Sequence, residues 1–269
     1  MLRPDFCAAV AINTSSIQTN TDCMNRVPSG INGLDELMEG GIPEGRTMLL
    51  SGGCGTGKTI FCTQFIYNGA KKYNDPGIYV TLDERPELIR QDMTRFGWDI
   101  RKLEEMDKVH IIDGSLAKLG MPSEEQFSMP ASGFDIDKLL LEIMRVAKRS
   151  GAKRLVIDSI PALGFNFENE NEVRNAIRKL SYLLMRIGVT TIMTTEMGNQ
   201  ENSFGKFGIE EYVVDGVIAL HYMGIGTRSN RTLHIRKMRA TKHSEELHPM
   251  AIDEKGITVH KVSKEYEEV

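Results

Sequence analysis

The chain predicts an α/β protein: a mostly parallel central sheet with helices on both faces and an antiparallel extension toward the C-terminus. Three observations carry that prediction. Short apolar runs alternate with helical patterns from residue 47 to residue 196, which calls for parallel strands covered on both sides. The first strand and helix are joined by SGGCGTGKT (51–59), a glycine-rich turn ending in a lysine and a threonine. After residue 212, four apolar segments succeed one another with no helix between them, so the last strands are antiparallel.

Taken in order, RTMLL (46–50) is a short apolar strand and TIFCTQFIYNGAKK (59–72) a helix. PGIYVTL (76–82) is a strand entered through a Pro-Gly turn, and RPELIRQDMTRFGWD (85–99) a helix with Pro86 in its first turn and Gly97 at its end. KVHIID (108–113) is the third strand, and residues 114–134, without periodicity, read as a surface excursion. FDIDKLLLEIMRVAKRSG (134–151) is an amphipathic helix closed by Gly151. KRLVID (153–158) and VTTIMTTE (189–196) are buried strands flanking the helix NEVRNAIRKLSYLLMRIG (171–188). YVVDGVIALHYMG, RTLHIRKMRA, HPMAIDE and GITVHKV supply the antiparallel extension.

The 269 residues are 41% hydrophobic and 26% charged, a composition for one large folded domain. Residues 1–24 are polar and aperiodic and read as a disordered leader, with Met24 an alternative start; 25–263 form the domain and 264–269 an acidic tail. No stretch is long and apolar enough for a transmembrane helix, and the leader has no signal-peptide core. The four cysteines form no C-x-x-C pair and read as reduced thiols of a cytoplasmic protein. A net charge of −4 argues against a general nucleic-acid coat.

Gly52, four residues, then Gly57-Lys58-Thr59 is the spacing of a phosphate loop. Across Gly52, Gly53, Cys54, Gly55, Thr56, Gly57, Lys58, Thr59 and Ile60 the backbone curls so that N–H groups and a helix N-terminus face one anion. Lys58 would neutralise the β- and γ-phosphates of a nucleoside triphosphate, and the Thr59 hydroxyl would ligate Mg²⁺. Asp158, at the end of LVID, is the acid that would hold that Mg²⁺ through water, or else a helix cap. Asp83 and Glu84 end the strand IYVTL, at the sheet edge where such folds bind ligands. One of them could serve the attacking water, or both could simply open the next helix. Thr194, Thr195 and Glu196 reach the same edge, to sense the γ-phosphate or to cap the sheet. Cys54 is either a redox gate or a small residue that fits the loop. Lys237 and Arg239, two apart on a strand, share a face: a solvated edge, a pair of basic fingers for a neighbouring subunit, or a nucleic-acid strip.

SGINGLDELMEGGIPEGRTMLLSGGCGTGKT, VTLDERPELIRQDMTRFGWDI, LVIDS, TTIMTTEMG and RTLHIRKMRATKH occur in the order found in KaiC-like ATPases of the RecA superfamily, which the chain resembles over about residues 25–263. The resemblance implies a RecA-like P-loop core that binds and hydrolyses Mg-ATP at the boundaries of a homo-hexameric ring; our reading adds that the ring couples nucleotide state to contacts with an unidentified partner protein. It implies that the acid pair matched by Asp83-Glu84 serves the catalytic water. It also implies that Lys237 and Arg239 reach the γ-phosphate bound by the adjoining subunit, with Met238, Thr241 and His243 beside the same nucleotide. The clock protein of the family carries two such domains and this chain one, and the phosphorylated Ser-Thr pair of its autokinase domain falls here on Glu211-Tyr212. Two rival functions share the core. A strand-exchange ATPase would need a basic loop, but MGNQENSFGKFGIEE (197–211) has one lysine against three glutamates. A nucleotide-gated assembly protein with little turnover would lack a catalytic acid, and Glu84 is present.

Overall fold

The computed structural model describes residues 24–116, 120–129, 135–166, 169–198, 204–225 and 228–262. Residues 1–23 of the expected leader and the whole acidic tail lie outside them.

Eleven strands and six α-helices are described. A short pair, β1 (Arg26–Val27) and β2 (Ile42–Pro43), precedes the main sheet. That sheet contains β3 (Thr47–Gly52), β4 (Gly77–Thr81), β5 (Val109–Asp113), β6 (Arg154–Asp158), β7 (Thr190–Thr195), β8 (Gly216–Ile225), β9 (Arg228–Met238), β10 (Leu247–Asp253) and β11 (Gly256–Val259). Its order is β11-β10-β9-β8-β3-β7-β6-β4-β5. From β8 to β5 every pairing is parallel, and from β8 to β11 every pairing is antiparallel. The helices are α1 (Lys58–Lys72), α2 (Pro86–Met93), α3 (Ile100–Glu105), α4 (Ile136–Ser150), α5 (Glu170–Ile187) and α6 (Glu210–Val213).

β3, β4, β5 and β7 are buried at every position, because helices cover both faces. Side-chain alternation divides the core in two. Tyr79, Val156 and Ile192 face Phe61 and Phe65 of α1, whereas Ile78, Leu155 and Met193 face Leu139 and Ile143 of α4 and Ile177 of α5. Each fully buried large side chain contributes about 1.5–3 kcal/mol, so the two layers dominate stability. α4 starts where the Asp135 side chain accepts from the Asp137 N–H, and ends where Gly151 turns left-handed at φ 65°.

A buried charge anchors the α1 side of the sheet at the edge where the parallel strands begin. Arg154, at the start of β6, is 0% exposed. Its guanidinium donates to Asp75 Oδ2 (2.9 and 3.2 Å), to the Pro28 carbonyl (2.8 Å) and to the Phe65 carbonyl (3.2 Å). One side chain thereby ties the N-terminal segment, α1 and the sheet together.

The structure corrects parts of the sequence reading. Residues 114–134 are not merely a surface excursion. The segment returns to β5, where Asp113 N–H donates to the Phe127 carbonyl and Met129 N–H to that of Asp113, burying Phe127 and Met129 in the core. The β1–β2 pair, α3 and α6 are additional. A bulge in the β8–β9 pairing lies between Val217 and Ile218, so the buried series on β9 passes from Leu233 and Ile235 to Met238. Among the described residues no helix is long and apolar enough to cross a membrane.

Candidate functional site

β3 runs out of the core at Gly52, and the chain must turn sharply to begin α1. Gly57 caps α1 with φ 103°, a conformation that favours glycine. A Cβ on Gly52 would meet Thr56 Oγ1 at 2.6 Å and the Leu220 carbonyl at 3.0 Å, so the loop is closed tightly against β8. Lys58 Nζ donates to the loop's own carbonyls, Gly52 at 2.7 Å and Gly53 at 3.0 Å. The ammonium is thus already poised over the cradle. Cys54 is exposed on the loop; Cys62, one helix layer down, is buried, and burial pushes its thiol well up.

Asp158, at the end of β6, gathers three hydroxyls. Its Oδ2 accepts from Thr59 Oγ1 (3.1 Å) and from Tyr79 Oη (2.7 Å), and its Oδ1 from Thr194 Oγ1 (2.6 Å). The topology makes this possible, because β7 alone separates β3 from β6 and β4 lies on the other side of β6. Asp158 therefore sits on the strand-end rim with its carboxylate shared among hydroxyls from α1, β4 and β7. Tyr79 is buried, and its hydroxyl is pushed well above the ordinary tyrosine value by burial and then by the Asp158 charge.

Thr81 is the register neighbour of Asp158, which puts the following LDE on the same rim. The Thr81 hydroxyl donates to the Glu84 carbonyl at 2.5 Å and accepts from the Glu84 N–H at 3.3 Å, fixing the turn. The two acids then diverge. Asp83 is exposed and accepts from Ser159 Oγ at 2.6 Å. Glu84 is partly buried, and its carboxyl is raised by desolvation first and then by the charges of Asp92 and Asp158. The three residues ending β7 separate as well. Thr194 turns to Asp158, Thr195 turns to the buried Glu210 (3.2 Å), and Glu196 pairs with Lys206 on the surface (3.1 Å).

The candidates on β9 and just beyond it are not part of this cluster. Lys237 pairs in register with Val217, three residues below Leu220, the β8 partner of Gly52, and so lies roughly 10 Å down the strands at about 3.3 Å per residue. Its ammonium donates to the carbonyls of Glu211 (2.9 Å) and Val214 (2.7 Å), and desolvation, then Arg239, lowers its pKa. Arg239 is exposed and sits 3.7 Å from Asp215. Met238 is buried in the core and pairs in the sheet with Gly216. Thr241 accepts from Arg26, and His243 Nδ1 donates to the Ser244 carbonyl. Glu211 and the exposed Tyr212 lie on α6, beside Lys237.

Sequence reasoning missed two neighbours of the loop. Tyr79 was hidden because an aromatic in an apolar strand reads as core. Arg231 reaches the Gly55 carbonyl at 3.2 Å while stacked over Tyr222, and its basic segment did not reveal which cation faces its own loop. The residues that could hold a triphosphate and Mg²⁺ are therefore 52–60 with Asp158. A positive helix start, a lysine folded back onto the loop carbonyls and a hydroxyl–carboxylate pair suit that ligand chemically. No cluster of three or more His, Cys, Asp or Glu side chains suited to a metal occurs among the described residues.

A phosphate loop after β3, with an acid-ended strand one place removed across a parallel sheet, defines a RecA-like P-loop core. The chain belongs to the KaiC family: the model described as "ATPase: KaiC" matches residues 27–264. A UPF0273 protein of Methanocaldococcus jannaschii is 41% identical over 238 residues, covering 88% of this chain and 97% of that protein. The circadian clock oscillator protein KaiC of Thermosynechococcus vestitus is 37% identical over 236 residues, covering 88% of this chain but only 44% of the clock protein. Among solved structures, a KaiC-like protein of Pyrococcus horikoshii superposes with a TM-score of 0.76 at 44% identity, covering 88% of this chain and all of that one.

Proposed function

We propose that this protein binds Mg-ATP and hydrolyses it at boundaries between copies of itself in a ring, in the cytoplasm, and that nucleotide state governs contact with a partner protein. The observation that carries the reading is the convergence of Thr59, Thr194 and Tyr79 on Asp158 beside the phosphate loop. In this reading the loop N–H groups bind the phosphates, and Lys58 exchanges its contacts with Gly52 and Gly53 for phosphate oxygens. Mg²⁺, when bound, would neutralise charge across the β- and γ-phosphates, held by Thr59 and, through water, by Asp158.

Glu84 is the better base of the acid pair. Asp83 is engaged by Ser159, whereas burial raises Glu84 toward the range in which a carboxylate takes a proton from water. Lys237 and Arg239 would complete a neighbour's site, a role supported by their distance from the loop of their own chain. A strand-exchange function finds less support, since Lys206, in the loop after β7, is paired with Glu196.

Glu84→Gln tests the assignment. ATP binding should persist while turnover falls by about 100-fold or more. Asp83→Asn should remain within a few-fold of the parent. Parent-like turnover in Glu84→Gln would reject the assignment.

A further inference from the structure

Tyr79 supports the scheme above without an assigned role in it, and of the two hydroxyls on Asp158 Oδ2 it makes the shorter contact. Tyr79 belongs to the buried core at 2% exposure, and with Ile66, Ile89, Ile100, Val109 and Ile111 it lines a small, mostly apolar cavity. Its hydroxyl ends 2.7 Å from the carboxylate. Thr59 approaches the same oxygen from α1 at 3.1 Å.

We propose that Tyr79 is a positioning residue that holds the Asp158 carboxylate in its metal-facing orientation. This rests on the Mg-ATP reading of the site. A threonine hydroxyl that offers a lone pair to a cation keeps its proton, so Thr59 could still donate to Oδ2, but its place would follow the metal. Tyr79 is the donor to Oδ2 that lies outside the proposed metal ligands, and Thr194 is the donor to Oδ1. Two donors arriving from β4 and β7, one at each oxygen, fix the carboxylate plane in a way that either alone does not. Partners outside the metal's own ligands commonly change its affinity when removed, by making the ligand group mobile.

Tyr79→Phe removes the hydroxyl and leaves the ring in the core. Binding of ATP is measured calorimetrically with EDTA and then across a Mg²⁺ titration, beside the parent and Asp158→Asn. The expected result is unchanged ATP affinity in EDTA, and a rise of about three- to tenfold in the Mg²⁺ concentration that half-maximally tightens binding. The thermal midpoint without ligand should stay near that of the parent, so that a packing defect is separated from a positioning one. A Mg²⁺ titration of Tyr79→Phe that overlays the parent, while Asp158→Asn loses its response, overturns the role of Tyr79 alone. If Asp158→Asn also titrates like the parent, the site reading itself fails. Should Tyr79→Phe melt far below the parent, Tyr79 is structural and the proposal is overturned.

Discussion

The two halves of the sheet treat their candidate residues in opposite ways. On the parallel half, Lys58, Thr59, Asp158 and Thr194 are already within hydrogen-bonding distance of the loop or of each other. On the antiparallel half, Lys237, Arg239 and Thr241 spend their polar atoms on α6, Asp215 and Arg26 of the same chain. The parallel topology explains the first, since successive strand ends emerge at one rim however distant they are in sequence. Antiparallel pairing explains the second, because β9 runs back down the sheet and carries its last residues to the far edge. One half gathers its candidates into a single cluster, and the other, in the proposed reading, serves the site of a neighbouring copy.

The strongest way to break that comparison is to separate the halves onto different molecules. Lys58→Ala and Arg239→Ala are each expected to lower hydrolysis by about 10³-fold, the scale on which phosphate-contacting cations act. In an equimolar random mixture of the two, about a quarter of ring boundaries pair an intact loop with an intact finger, given head-to-tail contacts. Activity should return to a corresponding fraction of the parent's. Confirmed subunit exchange with no recovered activity would show that Arg239 serves its own chain or no site at all.

A smaller effect sharpens the contrast in how each half holds buried charge. Arg154 is fully buried and depends on Asp75, whereas Lys237 is only partly buried and is satisfied by backbone carbonyls. Asp75→Ala leaves a buried guanidinium without its counter-charge, a change that costs about 3–5 kcal/mol. At roughly 2–4 °C per kcal/mol for a domain of this size, the melting midpoint should drop by about 10 °C. Lys237→Met should lower it much less. Equal losses from the two would mean that both edges are stabilised alike.

What was legible in the sequence follows the same division. The phosphate loop is legible because its chemistry is fixed by covalent spacing, and Asp158 because an acid ending an apolar strand has few other uses. Glu84 could be placed on the rim, but not separated from Asp83, because the choice depends on Ser159 and on burial. Arg154 was illegible: a basic residue opening a strand ordinarily marks the surface, and only the packing of α1 over it makes it internal. Phe127 and Met129 were lost for want of periodicity, their burial being set by a single return to β5.

The smallest expected effect concerns what Glu84 costs the fold. Its carboxyl lies above the ordinary value of 4.5, chiefly through burial, with Asp92 and Asp158 adding repulsion. A carboxyl raised on folding contributes stability while it is protonated in both states, and that contribution is lost as pH rises through the folded pKa. At neutral pH the ionised Glu84 therefore weakens the ligand-free protein, and a neutral isostere of the same shape does not. Glu84→Gln should melt slightly above the parent near pH 7, with the gap closing as pH falls through the carboxylate range. A gain at neutral pH together with lost turnover would mark Glu84 as a group kept charged for chemistry at the expense of stability. A Glu84→Gln midpoint at or below the parent's across the whole pH range would mean that neighbours in the folded chain already compensate this charge, and the case for Glu84 as a raised-pKa base would lose its physical ground.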